Sequence, residues 1–345
     1  MTAQVETVRR AVPEAAASAS TVTELGQEIS RQIGRLVPHD GYMLSGHDPS
    51  SFMGCFLARE HAYDRQSLPR LLDDEFHGRD LHPFSQLANG SSQVGVLGYG
   101  TAEGQHSARL HDIMAPQGFA GELRIALVRD GIMWGTLILL RERNRPPFSP
   151  ADALHAQLLV APLTEAVKRF VRRLPLYPLR GAQAPGLVVF GSGSGNGIRA
   201  ATPTGHDWLR ACVPNLHITD AELPVVVWGT TYTARLGDGP KQTLIPTPAG
   251  WIVVRGQLLT GGAAGDVAIT VQPASVDLLL PVVAAWYGIT RRERGVLELA
   301  LEGLPAKQIA RRLSLSPHTV NDHFKAIYRK TGVTCREELI AGLCR

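Results

Sequence analysis

Residues 289–339, ITRRERGVLELALEGLPAKQIARRLSLSPHTVNDHFKAIYRKTGVTCREEL, carry the densest local signals in the chain. Thr290-Arg291-Arg292-Glu293 fits a capping box, in which the threonine side chain accepts from the Glu293 amide while the Glu293 carboxylate reaches back. A helix therefore starts there. Its apolar positions Val296, Leu297, Ala300 and Leu301 form one stripe, and Gly303 stands where a left-handed residue ends a helix. Pro305 opens a second short helix with Ile309, Ala310 and Leu313 inward. Ser316-Pro317 places a serine cap before a proline at the first helical position, so a third helix begins there and runs to about Thr331. Val320, Phe324 and Ile327 recur at i, i+4 and i+7 and are its buried side; His318, Asn321, Asp322, Lys325 and Arg329 are left on the other. Helix, helix, tight turn and a helix with a polar outward face spell a helix-turn-helix, whose second helix sits in the major groove of double-stranded DNA.

The string resembles the LuxR-type helix-turn-helix domain of bacterial transcription regulators, over about one sixth of the chain. The resemblance implies an all-α four-helix domain over residues 288–345, with the motif at 306–325. In that family a fourth helix, here about Cys335 to Leu343, often pairs two domains on DNA. Cys335, Leu339, Ile340 and Leu343 would make that contact and give a homodimer. Position by position, Lys307 and Thr319 would touch phosphates, while Val320, Asn321 and Lys325 would face the groove with His318, Asp322 and Arg329 beside them. Two residues depart from the family pattern. Arg291 stands where proline is usual, which is harmless in a first turn. Asp322 stands where many members carry a small or basic residue, and a carboxylate there repels phosphates unless it accepts from a cytosine amino group. That makes Asp322 the candidate for sequence preference.

Charge follows the same division. From Trp286 to Arg345 there are 11 Lys and Arg against 6 Asp and Glu, and the remainder holds 24 against 25. The excess positive charge therefore lies wholly at the end that would meet phosphates, as salt-dependent DNA binding requires. With 345 residues the chain has room for two or three domains. No apolar run approaches the roughly 20 residues of a membrane span, and the N-terminus lacks the order of a secretion signal. A cytoplasmic protein without a membrane contact is expected. Cys55, Cys212, Cys335 and Cys344 are scattered without a CxxC, so buried free thiols are expected rather than a metal site or a disulfide framework.

Residues 1–19 are rich in Ala and Ser and read as a loose tail. A helix follows over about Thr21 to Leu36, with Leu25, Ile29, Ile33 and Leu36 on one stripe. Farther on, two apolar runs flank Asp130-Gly131, a strong hairpin signal. Leu123, Ile125 and Leu127 alternate there with Glu122, Arg124 and Ala126, which predicts one buried face. Ser149-Pro150 starts a long helix to about Arg173, whose stripe comprises Leu154, Leu158, Leu159, Pro162, Leu163, Val167 and Phe170; Pro162 should kink it. The segments LVPHDGYMLSGHDP (36–49) and GFAGELRIALVRDGIMWGTLILLRERNRPPFSPAD (118–152) make residues 20–174 similar to the GAF-like domains that precede LuxR-type heads in actinobacterial regulators. That resemblance implies an α+β sensor with a small-molecule pocket between the sheet and the irregular segment of about Tyr63 to Gln117, which Phe119 and Trp134 would line. His77, His82, His106 and His111 in that segment lack a metal-ligand spacing and read as solvated loop residues.

Residues 175–185, punctuated by Pro175, Pro178, Gly181 and Pro185, read as a linker. Beyond it, GLVVFGSGSGNGIRAATPTGHDWLRACVP (186–214) gives strand, glycine-rich turn, strand and a short helix with Trp208 and Leu209 inward. AGWIVVRGQLLTGGAAGDVAITVQPA (249–274) gives two or three antiparallel strands. This order resembles the small PAS-like domains that abut such heads, and residues 275–287 would be a connector helix. The loop Gly191 to Gly197 is read as a hairpin connection, because neither GxGxxG nor GK followed by Ser or Thr is present. A phosphate-accepting receiver is disfavoured as well: Lys168 is the only lysine before Lys241, and Asp73-Asp74 falls in a helical segment. An acyl-homoserine lactone domain does not account for the extra segment Gly186 to Ala274.

The expected architecture is therefore multidomain, with an α+β GAF-like sensor, a small α+β PAS-like domain and the four-helix head. The expected function is DNA-binding transcription regulation without cofactor or metal, with a small-molecule effector and RNA polymerase as further partners open to such a protein. Two alternatives stand beside it: an enzyme with a basic docking tail, for which no catalytic constellation has convincing spacing, and a protein-interaction scaffold with the same tail.

Overall fold

The computed structural model describes residues 3–344 apart from Arg65, Asp80, 100–103, 177–183, 192–196, 213–224, 238–240 and 262–263. The expected linker residues Pro178 and Gly181 and the centre of the glycine loop thus lie outside the described residues.

The first unit opens with a helix where a tail is expected. Helix α1 (Ala3–Ser18) buries Val5, Val8, Val12 and Ala16 along one face. Small alanines hide this stripe in composition, yet they favour a helix and permit close packing. Arg173 donates to the Ala16 and Ala19 carbonyls at 3.1 and 3.0 Å and closes its C-terminal end. Helix α2 (Val22–Ile33) follows, capped by the Thr21 side chain. Strands β1 (Gly41–His47) and β2 (Gly54–Glu60) form a hairpin. Then come the short helices α3 (Leu68–Phe76) and α4 (Phe84–Asn89), β3 (Val94–Gly98) and a π-turn at Leu110–Met114. Strands β4 (Phe119–Arg129) and β5 (Ile132–Glu142) are joined through Asp130 (φ 54) and Gly131 (φ 74), the paired left-handed residues of a two-residue hairpin. Helix α5 (Pro150–Arg172) starts in a full capping box at Ser149 and runs through Pro162.

The sheet order is β2-β1-β5-β4-β3. Helices α1, α2 and α5 cover one face over Leu123, Ile125, Leu127, Leu137 and Leu139. Leu154 is not on their contact stripe but 60% exposed, because it lies two residues, about 200° of helix rotation, before the buried Ala156. The second face is covered too. Glu122 and Arg124 are 0% and 2% exposed, which corrects the one-sided reading of β4. The irregular segment folds over them and supplies the partners that make their burial tolerable.

The second unit repeats the pattern. Strands β6 (Gly186–Phe190) and β7 (Ile198–Ala201) precede helices α6 (Pro203–Cys212) and α7 (Val225–Arg235), followed by β8 (Lys241–Thr247), β9 (Gly250–Leu258) and β10 (Val267–Pro273). Their order is β7-β6-β10-β9-β8, so each unit places its strands second, first, fifth, fourth, third. The units are clasped where Asp48 accepts from the Leu244 amide at 2.9 Å and Phe76 stacks on Tyr232 at 5.4 Å.

Helix α8 (Val276–Tyr287) is the connector. Its Trp286 ring lies 4.8 Å from that of Trp134, and Arg172 donates to the Trp286 carbonyl at 2.7 Å. Gly288 (φ 66) then turns the chain into the head, formed by α9 (Arg291–Leu301), α10 (Ala306–Leu313), α11 (Pro317–Thr331) and α12 (Arg336–Cys344). Among the described residues no helix is long and apolar enough to cross a membrane.

Candidate DNA interface and a cavity in the first unit

The head is assembled from local signals. At Thr290 both halves of the capping box form: Glu293 accepts from the Thr290 amide at 2.7 Å, and the Thr290 hydroxyl accepts from the Glu293 amide at 3.3 Å. Lys330 reaches from α11 to Glu293 at 2.6 Å and ties the two helices. Burial pushes the Glu293 carboxyl up, but the bonds from Lys330 and Thr290 outweigh it and hold it below its ordinary range. Spacing within one helix does not reveal this pair, because its partners belong to different helices. Gly303 is left-handed at φ 85, as its place in the sequence demands, and Ser314 at φ 54 makes the tight turn between α10 and α11. Ser316 then caps α11, accepting from the Thr319 amide at 3.0 Å.

Three faces of α11 result. Val320, Phe324 and Ile327 are buried; Val320 and Phe324 pack with Val296, Ile309 and Ala310. Val320 at 0% exposure belongs to the core, which corrects its assignment to the groove. The helical spacing that places it one turn before Phe324 turns it away from any external partner. Thr319 is half-buried and shares a 2.8 Å hydrogen bond with the Ser316 hydroxyl. His318, Asn321, Asp322, Lys325 and Arg329 are exposed together, and Lys307 is exposed in the first turn of α10 with Arg311 and Arg312 farther along that helix. Asp322 is held by both neighbours, at 3.2 Å from Lys325 Nζ and 2.9 Å from His318 Nδ1. The Lys325 hydrogen bond, with His318 behind it, keeps its carboxyl below the usual carboxylate range. Its negative charge is thus offset locally, which relieves the phosphate repulsion expected of a bare carboxylate.

Helix α12 departs more from expectation. Leu339 and Leu343 are buried in the cluster that includes α8, and Arg336 donates to the Ala300 and Leu304 carbonyls at 3.3 and 2.5 Å. The two leucines are therefore spent within the chain, which corrects their assignment to a partner surface; Cys335 is exposed and Ile340 half-buried. The exposed Cys335 also differs from the expected buried thiol, whereas Cys55 is buried. The side chains of Cys212 and Cys344 lie outside the described residues.

In the first unit a cavity of about 360 Å³ opens between the sheet and the irregular segment. Met43, Ser45 and His47 of β1 and Thr136 and Ile138 of β5 make its sheet wall, with Leu68, Leu71, Phe76 and Phe84 opposite. Arg109, Arg124 and Glu75 also line it: Arg109 pairs with Glu122 at 3.2 Å and Arg124 with Glu75 at 2.5 Å, while the Tyr63 hydroxyl donates to Glu122. Neither Phe119 nor Trp134 lines it. Phe119 packs edge-on against Tyr63 at 5.7 Å. Trp134 is the extra residue of a β-bulge, since Leu127 pairs with Gly135 and Val128 with Met133. The bulge sends its ring to the opposite face, under Lys168 at 3.5 Å and against Trp286. Burial, then the charges of Arg172 and Arg129, bring the Lys168 ammonium down to about 8. Among the described residues, no cluster of His, Cys, Asp and Glu is placed to hold a metal ion; His77 lies 3.2 Å from the Tyr232 hydroxyl.

Comparison with known proteins agrees with the head. Residues 288–342 match the family described as GerE, bacterial regulatory proteins of the luxR family. A stretch of 55 residues is 44% identical to Mb0914c of Mycobacterium bovis and to Rv0890c of Mycobacterium tuberculosis, both named as candidate HTH-type transcriptional regulators. That match covers 16% of this chain and 6% of either relative. Among solved structures, Escherichia coli SdiA aligns over 97% of this chain and 95% of its own at 16% identity and a TM-score of 0.38. The GAF domain of a Coxiella burnetii phosphoenolpyruvate-protein phosphotransferase aligns over 48% of this chain and 92% of its own at 11% identity and a TM-score of 0.31. The C-terminal domain is a LuxR-family helix-turn-helix domain.

Proposed function

We propose that the chain is a DNA-binding transcription regulator that acts as a dimer on paired half-sites, with a ligand in the first unit's cavity biasing the head through α5 and α8. The observation that carries the DNA-binding part is the capped α11, which buries Val320, Phe324 and Ile327 and presents Asn321, Asp322, Lys325 and Arg329 together. That arrangement supports reading α11 as the recognition helix, with Lys307 and Thr319 as the phosphate contacts and Asp322 as the source of sequence preference. For control, the Trp134–Trp286 contact and the Arg172–Trp286 bond support a path from β5 and α5 to the connector. An effector moves this equilibrium only if it binds one global state better than the other.

Selection of bound fragments from the source genome tests the reading, using the full-length chain at low and moderate salt. A shared motif with two half-sites is expected, lost in a Thr319→Ala, Lys325→Ala double variant and relaxed at one base in Asp322→Ala. Diffuse recovery that is equal in wild type and double variant would overturn it.

A further inference from the structure

We infer that the cavity of the first unit takes an uncharged, largely apolar small molecule bearing a single hydroxyl or amide N–H that pairs with Thr136 and His47. This rests on the reading of that cavity as the effector site. Its volume of about 360 Å³ falls at the small end of ligand pockets, which run from about 300 to 1,000 Å³. Methionine, leucine and phenylalanine supply most of the wall, so an occupant gains chiefly by leaving water.

The charges on the page decide against an ionic ligand. Arg109 and Arg124 are the cations of the lining, and both are engaged: Arg109 with Glu122 at 3.2 Å, Arg124 with Glu75 at 2.5 Å and with Glu122 at 3.5 Å. Arg124 also donates to the His82 carbonyl at 3.0 Å and lies 4.1 Å from the Phe84 ring centre. Among the described residues each guanidinium thus already has a carboxylate partner. A carboxylate or phosphate that recruited either arginine would leave a buried glutamate without its counter-charge, and an ammonium would do the same to an arginine. His47 does not supply a cation either, because burial brings its imidazolium down to about 4.

Two neutral polar side chains of the lining have capacity to spare. Thr136 is 7% exposed on the sheet wall, and among the described residues its hydroxyl has no hydrogen bond. Ser45, opposite it in the ladder, already donates to the Phe56 carbonyl at 3.1 Å. His47, two residues along β1, keeps its Nδ1 buried without a partner. A hydroxyl or amide donor satisfies both kinds of atom without adding charge. The cavity is also bounded by Gly229 of α7, where a Cβ would meet the Met53 methyl at 3.0 Å, so the occupant touches both units.

The test uses the full-length chain and three probes of one length, 1-octanol, octanoate and octylammonium, titrated calorimetrically at neutral pH. 1-Octanol is expected to bind at least about tenfold more tightly than either ion. Thr136→Val should weaken 1-octanol about fivefold, the worth of one buried hydrogen bond, and Thr136→Ser should restore it. Leu72→Trp, which fills the cavity, should abolish binding. Equal or tighter binding of an ion, no binding of 1-octanol, or 1-octanol binding that survives Leu72→Trp would each overturn the inference. The effector reading fails separately: it falls if 1-octanol binds as described while both it and Leu72→Trp leave affinity for the selected DNA unchanged.

Discussion

The two α+β units share one strand order and differ in what they enclose. In the second, α6 and α7 press Trp208, Leu209, Val227 and Ala234 onto Val188, Phe190, Ile252, Val254 and Ile269, an apolar core. In the first, the topologically matching α3 and α4 cover Glu122, Arg124, Thr136 and a cavity. Topology alone therefore does not make a binding site. Filling the inner face with branched apolar side chains gives close packing. Placing paired charges there props the covering segment and leaves space that side chains do not claim.

Removing the props should have the largest effect. Glu122→Leu takes the buried Glu122 carboxylate away from both Arg109 and Arg124, and should cost about 3–5 kcal/mol in denaturant unfolding. A neutral result would mean that the charges do not hold the first unit's covering segment, and the contrast would lose its basis. In the second unit, Ile252→Ala should cost about 2–4 kcal/mol by opening a void in a dry core. A cost below about 1 kcal/mol would show that this core is loosely filled as well. Per pH unit the smallest effect concerns Lys168 of α5, buried over Trp134. Lys168 releases its proton near pH 8 in the folded chain against an ordinary 10.5. The unfolded chain therefore binds more protons between those values, and this lysine's contribution to stability rises with pH across that window, by at most about 1.4 kcal/mol per pH unit. The stability difference between wild type and Lys168→Met should rise accordingly from pH 8 to 10.5; a flat difference would place the ammonium in water rather than over Trp134.

The elements readable in the sequence are those fixed within a few residues. Thr290, Ser149 and Ser316 each accept from an amide three residues on, so their helices start where the cap residue stands. Asp130-Gly131 makes its turn by its own backbone angles. The site was legible in proportion. The exposed set His318, Asn321, Asp322, Lys325 and Arg329 follows from helical spacing, and that spacing also disqualifies Val320, as its burial in the core bears out.

Other features depend on segments distant in sequence. The run Val225–Thr233 is rich in β-branched residues and still forms a helix, because it lies over β9 rather than beside a strand. Residues 3–18 become a helix because α5 offers a surface for Val5, Val8 and Val12. The sequence by itself determined the head, its caps and its basic end, since each rests on contacts within one helical turn or on composition. Only the tertiary structure decided that Trp134 faces the connector, that Leu339 and Leu343 pack inward, and that Glu122 and Arg124 lie beside a cavity. Each of those depends on which distant segment arrives to bury a face: Arg124 meets Glu75 across 49 residues. Periodicity shows that a face exists but not what will cover it.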